Sequence, residues 1–419
     1  MLYFVLFTFA SFVSRIGNNL VEDFSSMEKY YIFFSLEAVS LQPQLRYDAC
    51  IPTVDCSWFY SDLDVIYLLP FNWSPGHSQY TTDADDHVTT LSIVRENTIP
   101  LITYCLKNLN SLSINQSNID RLPSEIRFLS NLVYIDLDQN ENLTHVADEI
   151  GELSMLKRLH ISGSRQLSHL PADIGKLIGL TDLSITFGSL DDIPSSIDKL
   201  YKLESLDFSG NRLAGLPHNL KELTTIRSLK LNNNPIISSL QEVTTLASLR
   251  QLYMVGCGMT EIPSAIIGMT KLEMIDFGAN ELTSITYDIG KMTNLRSLYL
   301  GGNRFTSIPR ELVLVRNLTT LNMDGNSLTD ISAVVTLKQI RYLYLNRNQI
   351  TSVPSDIGKL NQTLEYLNLD DNQLTGLPKE LSQMSELKTL YIRNNAFSPI
   401  VIEEIRDCFV DNYWTRVYY

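Results

Sequence analysis

The C-terminal half of the chain repeats one arrangement of apolar and polar positions. Residues 318–384 contain LTTLNMDGNSLTDISAVV, IRYLYLNRNQITSVPSDIGKL and LEYLNLDDNQLTGLPKELSQM, three copies of one skeleton. In it, L-x-x-L-x-L is followed by N-x-L and then by L-P-x-x-I-x-x-L. Leucines two apart, such as Leu298 and Leu300 or Leu343 and Leu345, describe a strand with one buried face. Apolar residues three and four apart in the second half describe a helical turn or two. One such unit cannot bury its own apolar face, whereas stacked copies can. The pattern predicts a right-handed α/β solenoid, or horseshoe. Its parallel sheet lies on the concave side and its short helical or 3-10 segments on the convex side.

Units open at Leu109, Leu132, Leu156, Leu180, Leu203, Ile226, Leu249, Leu272, Leu295, Leu318, Ile340, Leu364 and Leu387, which makes 13 repeats. The spacing is mostly 23 residues and otherwise 22 or 24, with the changes falling in turns, where one residue costs little. The ninth position is Asn140, Asn211, Asn234, Asn280, Asn303, Asn326, Asn348, Asn372 or Asn395. Ser117, Ser164, Gly188 and Cys257 replace it elsewhere. A side-chain amide there can bond the backbone groups that lose their partners as the strand turns away.

Leu-Pro recurs at Leu122, Leu170, Leu216 and Leu377, Ile-Pro at Ile193, Ile262 and Ile308, and Val353 precedes Pro354. Proline fixes φ and suits the first position of a short helix. The unit as a whole resembles a leucine-rich repeat. Its LPxxIgxL form resembles the Ras-suppressor and Scribble-like class, including the plant intracellular Ras-group proteins. The resemblance covers about residues 88–398 and implies that the asparagines stack as a ladder, weakest in the first four repeats. It also implies that Cys257 is a structural ladder residue.

The flanks have no period. Residues 1–15 open with the apolar run LYFVLFTFASFV, which three readings fit: a signal peptide, an anchor or cut-short membrane segment, or a buried element. Residues 16–87 hold Cys50, Cys56, Trp58 and Trp73 and read as an N-terminal cap, since an end repeat cannot leave its apolar face open. The segment CIPTVDCSWFY loosely resembles the Cys- and Trp-bearing caps of extracellular leucine-rich repeat proteins. Cys50 and Cys56 are near enough in sequence for a local disulfide. Residues 399–419 read as a helical C-terminal cap, and the final YWTRVYY as cap packing or a docking segment.

A net charge of -14 argues against nucleic acid or an anionic membrane surface as the main partner. The Gly-Lys pairs at Gly175, Gly290 and Gly358 lack the earlier glycine and following Ser/Thr of a phosphate loop. The six histidines show no H-x-x-x-H spacing, and no G-x-S-x-G occurs. The expectation is a chain without catalysis, cofactor, metal or small-molecule substrate.

The informative positions face solvent from the strands. Tyr253, Tyr299, Tyr344 and Tyr391 stand between the inward residues, with Asp276 in the same column. Tyr342 and Tyr366 stand two residues earlier in their own repeats, Asp324 and Asp370 two later. Arg296 and Arg341 flank them. Tyr and Arg are the residues of protein-binding hot spots, so repeats 7–13 are the expected docking face for a protein ligand. The apolar start and the Cys50/Cys56/Trp58 cluster point to a secreted or membrane-tethered recognition ectodomain. The repeat class points instead to a cytoplasmic signalling scaffold, and a third reading makes the chain a fragment of a larger receptor. Five N-x-S/T sequons, at Asn72, Asn115, Asn142, Asn317 and Asn361, add nothing on compartment.

Overall fold

Leucines spaced by two and repeated every turn give short strands that stack in register. The computed structural model describes residues 56–236, 240–410, 412 and 414–419. The apolar segment 1–15 and residues 16–55 of the expected cap, Cys50 among them, therefore lie outside the described residues. Strands β1 (Gln79–Thr82), β2 (Val88–Val94), β3 (Ser111–Asn115), β4 (Arg121–Leu122), β5 (Tyr134–Asp138) and β6 (His145–Val146) come first. They are followed by β7 (Arg158–Ser162), β8 (Asp182–Thr186), β9 (Ser205–Asp207), β10 (Ser228–Lys230), β11 (Gln251–Tyr253) and β12 (Met274–Asp276). The last are β13 (Ser297–Tyr299), β14 (Thr320–Asn322), β15 (Tyr342–Tyr344), β16 (Tyr366–Asn368), β17 (Thr389–Tyr391) and β18 (Arg416–Tyr418). All but β4 and β6 form one 16-stranded sheet, in which β1 is antiparallel to β2 and every later pairing is parallel. This is a leucine-rich repeat solenoid.

The register explains the core. Leu252, Ile275, Leu298, Leu321, Leu343, Leu367 and Leu390 are aligned across β11 to β17, and each is buried. Burying one such side chain contributes about 2 kcal/mol, repeated at every turn. After β3, β5 and each of β7 to β17 one residue turns left-handed, with φ between 50° and 70° at Gln116, Gln139, Gly163, Phe187, Gly210, Asn233, Gly256, Ala279, Gly302, Gly325, Arg347, Asp371 and Asn394. The next residue occupies the ladder position. Asn303 is typical: its amide donates to the carbonyls of Phe277 (2.9 Å) and Leu300 (3.0 Å), and its oxygen accepts from the N–H of Leu282 (2.9 Å). The early substitutes do less. Ser164 Oγ has no partner among the described residues, and a side chain at Gly188 would stand 2.8 Å from the Asn211 oxygen. Cys257 donates its thiol to the Leu231 carbonyl at 3.4 Å, and burial pushes that thiol up, away from thiolate chemistry.

The other side of each turn is mostly a 3-10 segment, such as Ala172–Lys176 or Ser195–Lys199. Proline stands one place ahead of these segments rather than at their first residue, and its carbonyl closes the turn, as Pro171 does with the Ile174 N–H at 3.1 Å. Gly175 sits where a Cβ would lie 2.3 Å from the Ser196 carbonyl of the next turn, so that Gly-Lys pair is a packing feature. Helix α2 (Ser264–Ile267) replaces the 3-10 segment in one repeat.

At the N-terminal end, helix α1 (Asp62–Leu68) is closed by a capping box between Ser61 and Asp64, and it buries Val65 and Ile66. Asp62 accepts the Val88 N–H at 2.8 Å, tying α1 to β2. Cys56 is bonded to Cys105, 49 residues away, with their Cα atoms 5.3 Å apart. This corrects the expected Cys50–Cys56 bridge: the 3-10 segment Cys56–Trp58 lies against the segment Leu101–Cys105, a proximity that sequence distance does not report. At the other end, α3 (Pro399–Phe409) starts at a Ser398 cap, and the chain then returns to the sheet as β18. The end of YWTRVYY is thus a strand of the sheet. Among the described residues no helix is long and apolar enough to cross a membrane.

Candidate functional site

Alternation along each strand buries one residue and sends its neighbours to the opposite face. On β11 to β18 that face carries Tyr253, Asp276, Tyr299, Asn322, Tyr344, Asn368, Tyr391 and Tyr418 in one column, by direct strand pairing. Tyr418 was not expected, because α3 interrupts the period before β18. The first residues of β15 and β16 add Tyr342 and Tyr366.

The tyrosines fall into two groups. Downstream, Tyr344, Tyr366, Tyr391 and Tyr418 touch in sequence across four strands, with ring centroids 4.9, 5.5 and 4.4 Å apart. Tyr391 and Tyr418 are stacked, at an interplanar angle of 6°. Such contacts contribute about 1 kcal/mol each beyond burial and hold the rings in fixed orientations. Burial pushes the hydroxyls of Tyr344 and Tyr366 above the usual tyrosine range, so both stay protonated at neutral pH. Upstream, Tyr253 and Tyr299 stand on either side of Asp276, one strand apart. Burial, and then the charge of Asp276, pushes both hydroxyls up. Lys230 lies 5.6 Å from the centre of the Tyr253 ring and pairs with Asp207 at 3.4 Å.

The expected charged residues separate by position. Asp370 is buried and already engaged: it accepts the backbone N–H of Arg393 at 2.6 Å and the guanidinium Nε at 2.9 Å. Arg393 also lies over the Tyr391 ring at 5.1 Å, so this pair packs against the tyrosine row. Arg341 is paired with Glu365, which also takes Lys388 at 2.7 Å. Those two cations, Lys388 first, hold the Glu365 carboxyl below its ordinary range. Arg296 is exposed and makes no ion pair among the described residues. Asp276 and Asp324 remain on the face. The Gly278 N–H donates to Asp276 at 2.9 Å, while burial and then the charge of Asp324 raise the Asp276 carboxyl above its ordinary range.

Family models described as leucine rich repeat match residues 293–350, 338–397 and 202–223. A comparison with curated proteins finds no match. Among solved structures, a leucine-rich repeat protein of Leptospira interrogans is similar at a TM-score of 0.62 and 28% identity, over 77% of this chain and 93% of that one. An internalin from Listeria monocytogenes aligns at a TM-score of 0.59 and 20% identity, over 76% and 88% of the two chains. A plant peptide hormone receptor, RGFR1, solved in complex with RGF2, aligns at 0.52 and 28% identity. That match covers 73% of this chain but 54% of the receptor, so the chain spans about half of that relative's length.

Proposed function

We propose that this chain is a non-catalytic recognition protein that holds a protein ligand on the concave, strand-lined face of its last repeats. The observation that carries the reading is the unbroken contact of Tyr344, Tyr366, Tyr391 and Tyr418, with Tyr253 and Tyr299 continuing the row. Pre-ordered tyrosines offer large contact areas and hydroxyl hydrogen bonds at little entropic cost. A face whose role was only to close the sheet would not need aromatic residues concentrated at one end.

The solenoid belongs outside the reducing cytoplasm in this reading, as a secreted or tethered ectodomain. The Cys56–Cys105 bond supports that, because disulfides persist in oxidising compartments. The similarity to a plant peptide hormone receptor solved in complex with RGF2 supports a recognition role. The LPxxIgxL repeat form favours the second reading, a cytoplasmic scaffold of the Ras-suppressor kind. Thiol labelling of the protein from its own cells separates them: Cys56 and Cys105 blocked in the first case, labelled in the second.

The docking face itself is tested by Tyr299→Ala with Tyr344→Ala. In a capture experiment from the native source, the double variant should lose the partner that the parent retains. Equal recovery by both proteins would contradict the assignment.

A further inference from the structure

Asp276 shares a structural task with its neighbours in the column. Its carboxylate accepts the N–H two residues on, from Gly278, at 2.9 Å; Asn322 does the same for Asp324 at 2.8 Å, and Asn368 for Asp370 at 3.0 Å. A neutral amide therefore closes this turn as well as a carboxylate does. The charge at Asp276 is surplus to the fold, and it is held in a half-buried place where burial disfavours it.

A second acid adds to it. Asp324 leans back over β13's exit, where a Cβ on Gly301 would collide with its oxygen, and Gly278 lies beside Gly301. The two glycines leave a shallow floor with a carboxylate at each end, and Tyr299 is on β13, between the strand of Asp276 and the strand that leads to Asp324. Neither carboxylate has an ion-pair partner among the described residues, whereas Asp207, Glu365 and Asp370 on the same sheet each have one.

We propose that this trough receives a basic side chain, arginine or lysine, from an extended segment of the protein ligand. The proposal rests on the docking-face reading. Charge complementarity selects the occupant: the chain supplies two unpaired carboxylates and the aromatic rings of Tyr253 and Tyr299, which together suit a cation and penalise an acid. A basic group entering here completes the kind of pairing that Asp207, Glu365 and Asp370 already have within the chain.

The test is selection of a random twelve-residue peptide library on three full-length proteins: the parent, Asp276→Asn with Asp324→Asn, and Tyr299→Ala with Tyr344→Ala. Peptides selected on the parent should carry Arg or Lys at one shared position. The acid-to-amide variant should still select tyrosine-dependent peptides, but without that basic position. A parent-selected peptide should bind the amide variant on the order of tenfold more weakly. Tyrosine-dependent binders with no basic preference, or the same preference on both proteins, would overturn the trough alone. Failure to select any tyrosine-dependent binder would overturn the docking face, and the trough with it.

Discussion

Asp276 is a residue at which the proposed docking role opposes stability. Burial and the charge of Asp324 raise its carboxyl above the unfolded value of 3.8. Its favourable contribution to folding is therefore full below that value and is lost as pH rises through the raised folded pKa. Asp276→Asn removes the ionised form and keeps the bond to Gly278. The variant should melt above the parent at about pH 7, and the gap should close at about pH 3. Melting curves at the two pH values check it; a variant less stable at neutral pH would show that the carboxylate is needed by the fold. Glu365 behaves in the opposite sense, since its lowered pKa gives stability present above 4.5 and lost as pH falls. Much of the residue-scale picture was legible beforehand. Period two assigns the tyrosines and Asp276 to one face, because the leucines fix which face is buried. Asp370, expected among the ligand-contacting residues, is paired within the chain with its column neighbour 23 residues on, Arg393. The register that aligned the tyrosines aligns that pair as well.

Elements were legible where the repeat dictates them and obscure where it stops. Strand positions follow from leucine spacing, but β18 lies beyond a helix that breaks the period, so Tyr418 could not be counted into the column. The N-terminal disulfide was obscured for a related reason. Cys56 meets Cys105 because α1 packs on the first turn, and no local spacing encodes that contact. Closing a loop of 49 residues restricts the unfolded chain by about 4 kcal/mol in the chain-entropy account. In a solenoid each turn contacts only its neighbours, so the effect should stay local. Replacing Cys56 and Cys105 with serine should speed amide exchange in β1 to β3 and leave β15 to β17 unchanged. Uniformly faster exchange along the sheet would mean that the whole solenoid unfolds as one unit.

At the scale of the molecule, the two ends of the sheet differ. The early face carries small or polar residues, such as Ser113 and Ser184, in the column where the late face carries tyrosines. The ladder is uneven: Ser117 and Asn140 are bonded, Ser164 Oγ lacks a partner among the described residues and Gly188 has no side chain, Asn211 and Asn234 follow, and Cys257 substitutes before the asparagines run on from Asn280. A continuous ladder fixes the spacing of adjacent turns, and a fixed spacing keeps a row of rings ready for a ligand. The uninterrupted run of asparagines from Asn280 on falls in the turns that carry most of the proposed docking face. The direct measurement is site-specific photocrosslinking, with a benzophenone amino acid placed at Tyr299 or Tyr344 on the strands, or at two exposed positions off the strands, Tyr201 in the turn after a 3-10 segment and Tyr287 at the start of one. The account predicts one discrete protein adduct from Tyr299 and Tyr344 and none from Tyr201 and Tyr287. An adduct formed from Tyr201 or Tyr287 and absent from the strand face would contradict it.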